Sequence, residues 1–373
     1  MSSIEGVPLS DQLEGALHPV HTPHFYGHDQ AIEGLTTGLT SGRFHHGWIF
    51  SGPLGVGKAT LGYHLARVLL DQTQDKEQGD LDLIGWSEQA RQEKTGRLVA
   101  QFAHPDMRVL RRNYDPKTKK FFSFIRIDEM RALRDMLHTT PSMGGARVIL
   151  IDRAEDMNQA SGNALLKVLE EPPQNTVFIL ITNALGQIPI TIRSRCRLLK
   201  FHGLELDAFQ QALEQQFQAQ HLKLPEDLEI QSLWHLSQGS VRVGFELVTG
   251  NGLKVYHTLV KLFEGLPTLD GQLLDQFVDG VLRDKSGQAY SGALEQVLQL
   301  LHRLIKGKMA DFPLSAQEKR LADKLIHPQA IDQWLRVWDT VQQKSLDVDE
   351  YNLDKKTHLT TTLFSLRDLV RAQ

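Results

Sequence analysis

At 373 residues the chain exceeds what one hydrophobic core usually supports, so two or three domains are expected. Its composition, 41% hydrophobic and 23% charged, is that of a soluble globular protein, and 41 Lys and Arg against 45 Asp and Glu give a net charge of −4, which excludes a chain-wide electrostatic surface for nucleic acid. No apolar run approaches the roughly 20 residues of a bilayer span, the first residues lack a signal-peptide core, and a single cysteine, Cys196, excludes an internal disulfide. A cytoplasmic protein without membrane contact is expected.

Residues 1 to about 22 are polar and without periodicity, which predicts an extended leader. The segment opening at Tyr26-Gly27-His28-Asp29 and carrying Leu35 and Leu39 predicts a helix ending near Ser41-Gly42. His45 and His46 are adjacent, so in an extended chain they point to opposite faces, and no third ligand is spaced to join them in a metal site. Packing or solvation is their expected role.

The apolar run Trp48-Ile49-Phe50 then feeds Gly52-Pro53-Leu54-Gly55-Val56-Gly57-Lys58-Ala59-Thr60. Such a glycine-rich turn aims successive backbone N–H groups at one point, and Lys58 adds a positive charge where terminal phosphates would sit. Leu61, Leu65, Val68 and Leu69 follow at helical spacing, so the positive end of a helix faces the same anion. Gly52, Gly55, Val56, Gly57, Lys58, Ala59 and Thr60 are therefore candidate nucleotide contacts, for ATP or ADP. The motif asks for Ser or Thr after the lysine, to hold magnesium, and the residue there is Ala59. Thr60 comes one residue late and projects about 100° away around the helix. Magnesium thus has weak support.

Residues 71 to about 97 are rich in Gln, Glu, Asp and Lys, which predicts an exposed insertion with one helix near Trp86 to Arg97. A strand fits Met107-Arg108-Val109-Leu110. The stretch beyond it interleaves Arg111, Arg112, Lys117, Lys119 and Lys120 with Tyr114, Phe121 and Phe122, either a nucleic-acid patch or a solvated hairpin tip with aromatics turned inward. Asp128 is placed to cap a helix whose inner face is Met130, Leu133 and Leu137. Arg147-Val148-Ile149-Leu150-Ile151-Asp152 reads as a strand covered on both faces, ending in an acid that is either a magnesium ligand or a strand-end cap. The next position, where a glutamate would polarise an attacking water, is Arg153. Glu155 lies three residues past Asp152 and is not expected to reach the same place.

Ala160, Ala164, Leu165, Val168 and Leu169 mark a helix stopped by Pro172-Pro173. Thr176 to Thr182 is a further buried strand, and Asn183 at its end is either a γ-phosphate or water contact or a turn residue.

Residues 188 to 196 end in Ser194-Arg195-Cys196. That triplet, the two-proline helix end, the Thr182-Asn183 strand end, Gly55-Val56-Gly57-Lys58-Ala59-Thr60 and Asp152 without a following glutamate together resemble bacterial sliding-clamp loader subunits, an AAA+ family, most closely those of the delta-prime type of DNA polymerase III. The resemblance covers about residues 20 to 250. It implies an α/β P-loop AAA+ domain with a parallel five-stranded sheet over 1–203, a small helical lid over 204–250 and an all-α collar over 251–373 that packs against other loader subunits. It also implies that Arg195 is an arginine finger reaching the ATP site of a neighbouring subunit, a duty suited to the planar guanidinium. The other reading is a structural pairing of Arg195 with a carboxylate. Gly239-Ser240-Val241-Arg242 resembles the family's second sensor, making Arg242 a nucleotide contact or a surface cap.

Many relatives carry a four-cysteine zinc module after the loop helix; no cysteine stands there, so zinc is not expected. Periodicity predicts three C-terminal helices, over Leu294, Val297, Leu298, Leu301, Leu304 and Ile305, over Trp334, Val337, Trp338 and Val341, and over Leu359, Leu363, Leu366 and Val370.

The expected function is that of a scaffold subunit of the polymerase holoenzyme, with little or no ATPase of its own. Its partners would be motor ATPase subunits and delta in a hetero-pentamer, which meets the sliding clamp and primed DNA. A self-sufficient motor ATPase and a small-molecule kinase are the other readings, and Ala59 and Arg153 argue against the motor.

Overall fold

The computed structural model describes residues 8–71, 82–224, 230–250, 252–283, 288–310, 312, 314–351 and 354–372. The chain packs as two compact units, one of residues up to Ile230 with Ser237–Phe245 and one of Gln231–Leu236 with Glu246–Gln373.

In chain order the first unit carries α1 (Asp29–Thr40), β1 (Gly47–Ser51), α2 (Lys58–Leu70), α3 (Glu88–Gln92), α4 (Lys94–Ala100) and β2 (Met107–Leu110). A small hairpin of β3 (Tyr114–Asp115) and β4 (Lys120–Phe121) follows, then α5 (Ile127–Leu137), β5 (Arg147–Ile151), α6 (Gln159–Glu170) and β6 (Thr176–Thr182). It closes with α7 (Ile190–Arg193), β7 (Arg197–Lys200) and α8 (Leu206–Ala219); the residues of α9 (Ile230–Ser237) and α10 (Val241–Thr249) are divided between the two units.

Five strands form one parallel sheet in the order β2-β5-β6-β1-β7. This is the parallel five-stranded α/β sheet that the sequence predicts. Because side chains alternate along a strand, β5 sends Val148 and Leu150 into a core shared with α1 and α2, and Ile149 and Ile151 into a second core shared with α5, α6 and α7. Both faces are covered, which is why these strands read as unbroken apolar runs. Each fully buried Leu or Ile contributes about 1.5–3 kcal/mol to that layering.

Three local expectations are corrected, and one open alternative is decided. Residues 8–22 are not an extended leader: Val20 is fully buried, Pro19–His21 forms a 3₁₀ turn, and Asp11 and His18 lie inside. Residues 1–7, and 72–81 of the polar insertion, lie outside the described residues. The rest of that insertion is not wholly exposed, since Leu83, Trp86 and Val99 are buried. The cap position of α5 is Arg126, and Asp128 instead pairs with Arg126 and Arg131. The basic segment after β2 is the hairpin tip: Tyr114 packs on Phe121, and Arg108, Arg111 and Arg112 are paired with Glu129, Asp11 and Asp156.

The second unit is helical: α11 (Gly252–Gly265), α12 (Gly271–Leu282), α13 (Gln288–Met309), α14 (Ala316–Leu325), α15 (Ile331–Tyr351) and α16 (Lys355–Arg371). The long α13 packs against α11, α12, α14 and α15, burying Leu294, Val297, Leu301, Leu304 and Ile305. Trp334 and Val341 of α15, and Leu359, Leu363 and Leu366 of α16, are likewise buried. An ion pair lies within this core, where Arg303 Nε donates to Glu318 Oε1 at 2.8 Å and Tyr256 Oη donates to the same oxygen at 3.2 Å. Sharing one acceptor between two donors is what lets the carboxylate stay buried.

Candidate functional site

The carboxyl ends of three adjacent strands, β5, β6 and β1, deliver Asp152, Asn183 and the glycine loop to one edge of the sheet. A parallel α/β sheet binds its ligands at that edge. A cavity of about 190 Å³ opens there, lined by residues that include Gly55, Val56, Gly57, Lys58, Ala59, Thr60, Asp152, Asn183 and Arg242.

The loop geometry follows from its glycines. Gly57, the cap residue just before α2, has φ +100°, and a Cβ on it would lie 2.8 Å from the ring of Phe25. Gly55, with φ +77°, would place a Cβ 2.4 Å from Cβ of Arg242. No other residue type fits either position without moving a neighbour.

Every carbonyl from Gly52 to Val56 is held by a donor from this chain. Lys58 Nζ donates to Gly52 O at 2.7 Å and also to Pro53 O. Ser240 Oγ donates to Leu54 O at 2.8 Å, and the Val241 N–H to Gly55 O at 3.0 Å. His28 Nε2 lies 2.9 Å from Val56 O and donates to it; burial first, against the pull of that hydrogen bond, keeps this imidazole below its ordinary pKa and so neutral. With its carbonyls engaged, the loop has its N–H groups, and the N-terminus of α2, to offer an anion.

Lys58 is 4% exposed. Burial lowers its pKa to about 8, against the upward pull of Asp152 and Glu155, so it is charged at neutral pH. Burial pushes Asp152 the other way, to about 7, with the Asp11 charge adding to the rise and Arg111 and Lys58 opposing it.

Beneath these lies a network that sequence reasoning missed. Asp11 Oδ2 accepts from Arg111 Nη1 at 2.6 Å and from Tyr63 Oη at 3.4 Å, and sits 3.2 Å from His18 Nε2. Burial raises the Asp11 pKa, but His18 and Arg111 together overcome it and hold the carboxyl at about 2. The polar N-terminal segment is thus tied to β2 and α2 under the site.

Glu155 requires a correction. Arg153 takes a left-handed backbone (φ 58°, ψ 66°), and the 3₁₀ turn Ala154–Asp156 then folds back. This returns Glu155 to the site, where its Oε1 accepts from Asn183 N at 3.2 Å and from Asn183 Nδ2 at 3.0 Å. Asn183 Oδ1 accepts from Lys58 Nζ at 2.9 Å, so the three side chains form one chain of contacts. Arg153 turns toward carboxylates, with its Nε 3.5 Å from Asp156 Oδ2 and 3.9 Å from Glu155 Oε1.

The residues fit a phosphate chain: a buried ammonium, a glycine cradle and a helix N-terminus converge. They fit magnesium poorly, because Asp152 faces no hydroxyl at position 59 and Ala59 packs on the core.

Arg195 stands apart from this cavity. It follows α7, its Nη2 donates to Glu170 Oε1 at 2.7 Å and its Nη1 to Thr191 O at 2.9 Å, with 35% of the side chain exposed. The neighbouring Cys196 packs against the core, and burial pushes its thiol up to about 12.

The family described as "DNA polymerase III, delta subunit" matches residues 27–205. Subunit delta' of DNA polymerase III from Pseudomonas aeruginosa is 35% identical over 151 residues, 40% of this chain and 41% of the relative. Subunit tau from Salmonella typhimurium is 27% identical over 318 residues, 80% of this chain and 46% of the relative. Just under half of the chain, residues 27–205, is thus similar to clamp-loader subunits of DNA polymerase III. The chain spans less than half the length of the curated relatives it matches. Among solved structures, a gamma-subunit-related protein from Thermotoga maritima is 16% identical with a TM-score of 0.41, covering 91% of this chain and 100% of that one. Among the described residues, no helix is long and apolar enough to cross a membrane.

Proposed function

We propose that this chain is a delta-prime-type subunit of the DNA polymerase III clamp loader, a cytoplasmic scaffold that binds ATP or ADP without turning it over and lends Arg195 to a neighbouring motor subunit. The carrying observation is a phosphate cradle in which Ala59 has no hydroxyl for magnesium, Arg153 stands where a water-orienting glutamate is needed, and Glu155, which returns to the site, is engaged by Asn183. Gly52 through Thr60 and Arg242 would hold the phosphates, and Asp152 and Asn183 would flank them. The nucleotide supplies the transferable phosphoryl group only in the neighbour's site.

Arg195 suits a role in trans because its present partner is a surface carboxylate. An exposed ion pair of this kind is worth about 0–1 kcal/mol, so exchanging Glu170 for a γ-phosphate costs little. A finger supplied from outside can raise turnover about 10³- to 10⁵-fold. The partners in this reading are motor ATPase subunits and delta in a hetero-pentamer, with the sliding clamp and primed DNA met through the complex.

A motor ATPase is the second reading, favoured by the tau relative that matches 80% of this chain. Turnover separates the two. The purified chain alone is expected to hydrolyse ATP negligibly, and a rate on the order of 1 s⁻¹ or more would establish the motor instead.

A further inference from the structure

The contact chain Lys58–Asn183–Glu155 has a fixed sense. Asn183 turns its amide oxygen to Lys58 Nζ at 2.9 Å and its amide NH₂ to Glu155 Oε1 at 3.0 Å. The backbone N–H of Asn183 binds the same carboxylate oxygen at 3.2 Å, so Glu155 grips both ends of the residue. An asparagine side chain that is to bind a terminal phosphate must present its NH₂, since phosphate oxygens only accept. Here the group facing the lysine that marks the terminal phosphates is an acceptor.

Charge acts in the same direction. The Glu155 side chain is 7% exposed, and its Oε2 is buried without a hydrogen bond among the described residues. Arg153 approaches Glu155 only to 3.9 Å and lies closer to Asp156. A third phosphate would therefore meet an amide oxygen and a poorly compensated carboxylate. A diphosphate chain ends before them and keeps the loop N–H groups and the nearby charge of Lys58, whose three N–H bonds go to Gly52 O, Pro53 O and Asn183 Oδ1.

We propose that Glu155 is a positioning residue that, by holding Asn183 with its acceptor toward Lys58, makes this site select nucleoside diphosphates over triphosphates. The inference rests on the nucleotide-binding reading above and adds which nucleotide the site keeps. Releasing Asn183 would let its amide rotate and offer its NH₂ to a γ-phosphate, as a charge-assisted hydrogen bond.

Calorimetric titration of the full chain with ADP and with a non-hydrolysable ATP analogue tests this in wild type, Glu155→Gln and Glu155→Ala. Wild type is expected to bind ADP more tightly. Glu155→Ala is expected to shift the ratio toward the triphosphate by about tenfold or more, the size of one charge-assisted hydrogen bond. Glu155→Gln, which keeps an acceptor for Asn183 and the same shape, is expected to shift it less. An unchanged ratio in both variants, or an equal loss of affinity for both nucleotides, overturns the proposal while leaving nucleotide binding intact. Absence of binding of either nucleotide to wild type overturns the nucleotide-binding reading and this inference with it.

Discussion

The loop site and the Arg195 surface belong to the same unit and are built in opposite ways. At the loop, charged groups are buried and interlocked: Lys58 is held by two carbonyls and Asn183, and Asp11 is gripped by Arg111 and His18. Around Arg195 an exposed carboxylate, a helix carbonyl and the Ser194 hydroxyl are the side chain's partners. Interlocking fixes geometry at the expense of change, whereas a solvated ion pair can be exchanged for a better one. On the proposed function, the interlocked loop would hold a nucleotide in place while the loosely held Arg195 would serve a neighbouring site.

The contrast makes graded predictions for stability. Arg111→Ala should cost about 3 kcal/mol, because it strips one of two charged partners from a buried carboxylate; a urea midpoint unchanged from wild type would show that Asp11 is not held as described. Acid should expose the same carboxylate. With its folded pKa near 2 and an ordinary value of 3.8, Asp11 contributes about 2 kcal/mol of stability that is fully present above pH 4 and lost as pH falls toward 2. Asp11→Asn should flatten that part of the stability profile, and an equally steep acid limb would contradict it. Ser240→Ala removes one hydroxyl that both donates to Leu54 O and accepts from Val243 N–H, so about 1 kcal/mol should be lost in thermal unfolding, with nucleotide affinity falling alongside. Arg195→Ala should leave stability within about 0.5 kcal/mol of wild type, and a larger drop would give this arginine the structural duty that the comparison denies it.

Much of the first unit was legible in the sequence because its strands are covered on both faces. Val148 to Ile151 and Val177 to Ile181 read as strands directly. The fifth strand did not: β7 is Arg-Leu-Leu-Lys at the sheet edge, mostly exposed, and carries no apolar pattern. The long helices of the second unit were legible for the converse reason, since α13 buries one face at a 3.6-residue period.

The phosphate loop, Asp152 and Asn183 were found by motif, and the fold brings them together at one cavity. Glu155 was misjudged because spacing assumes the chain continues regularly past Asp152, whereas a left-handed Arg153 reverses it. Asp11 and His18 gave no signal, because their partners lie across the fold and a polar segment looks the same whether solvated or satisfied inside.

The central claim, that the chemistry this chain serves lies in a neighbour, is tested most directly by steady-state ATP hydrolysis of the reconstituted clamp-loader complex carrying Arg195→Ala. A rate lower by about 10³-fold at the site the arginine serves, seen as a proportionate loss in the complex, is the predicted result. An ATPase rate equal to that of the wild-type complex would contradict it.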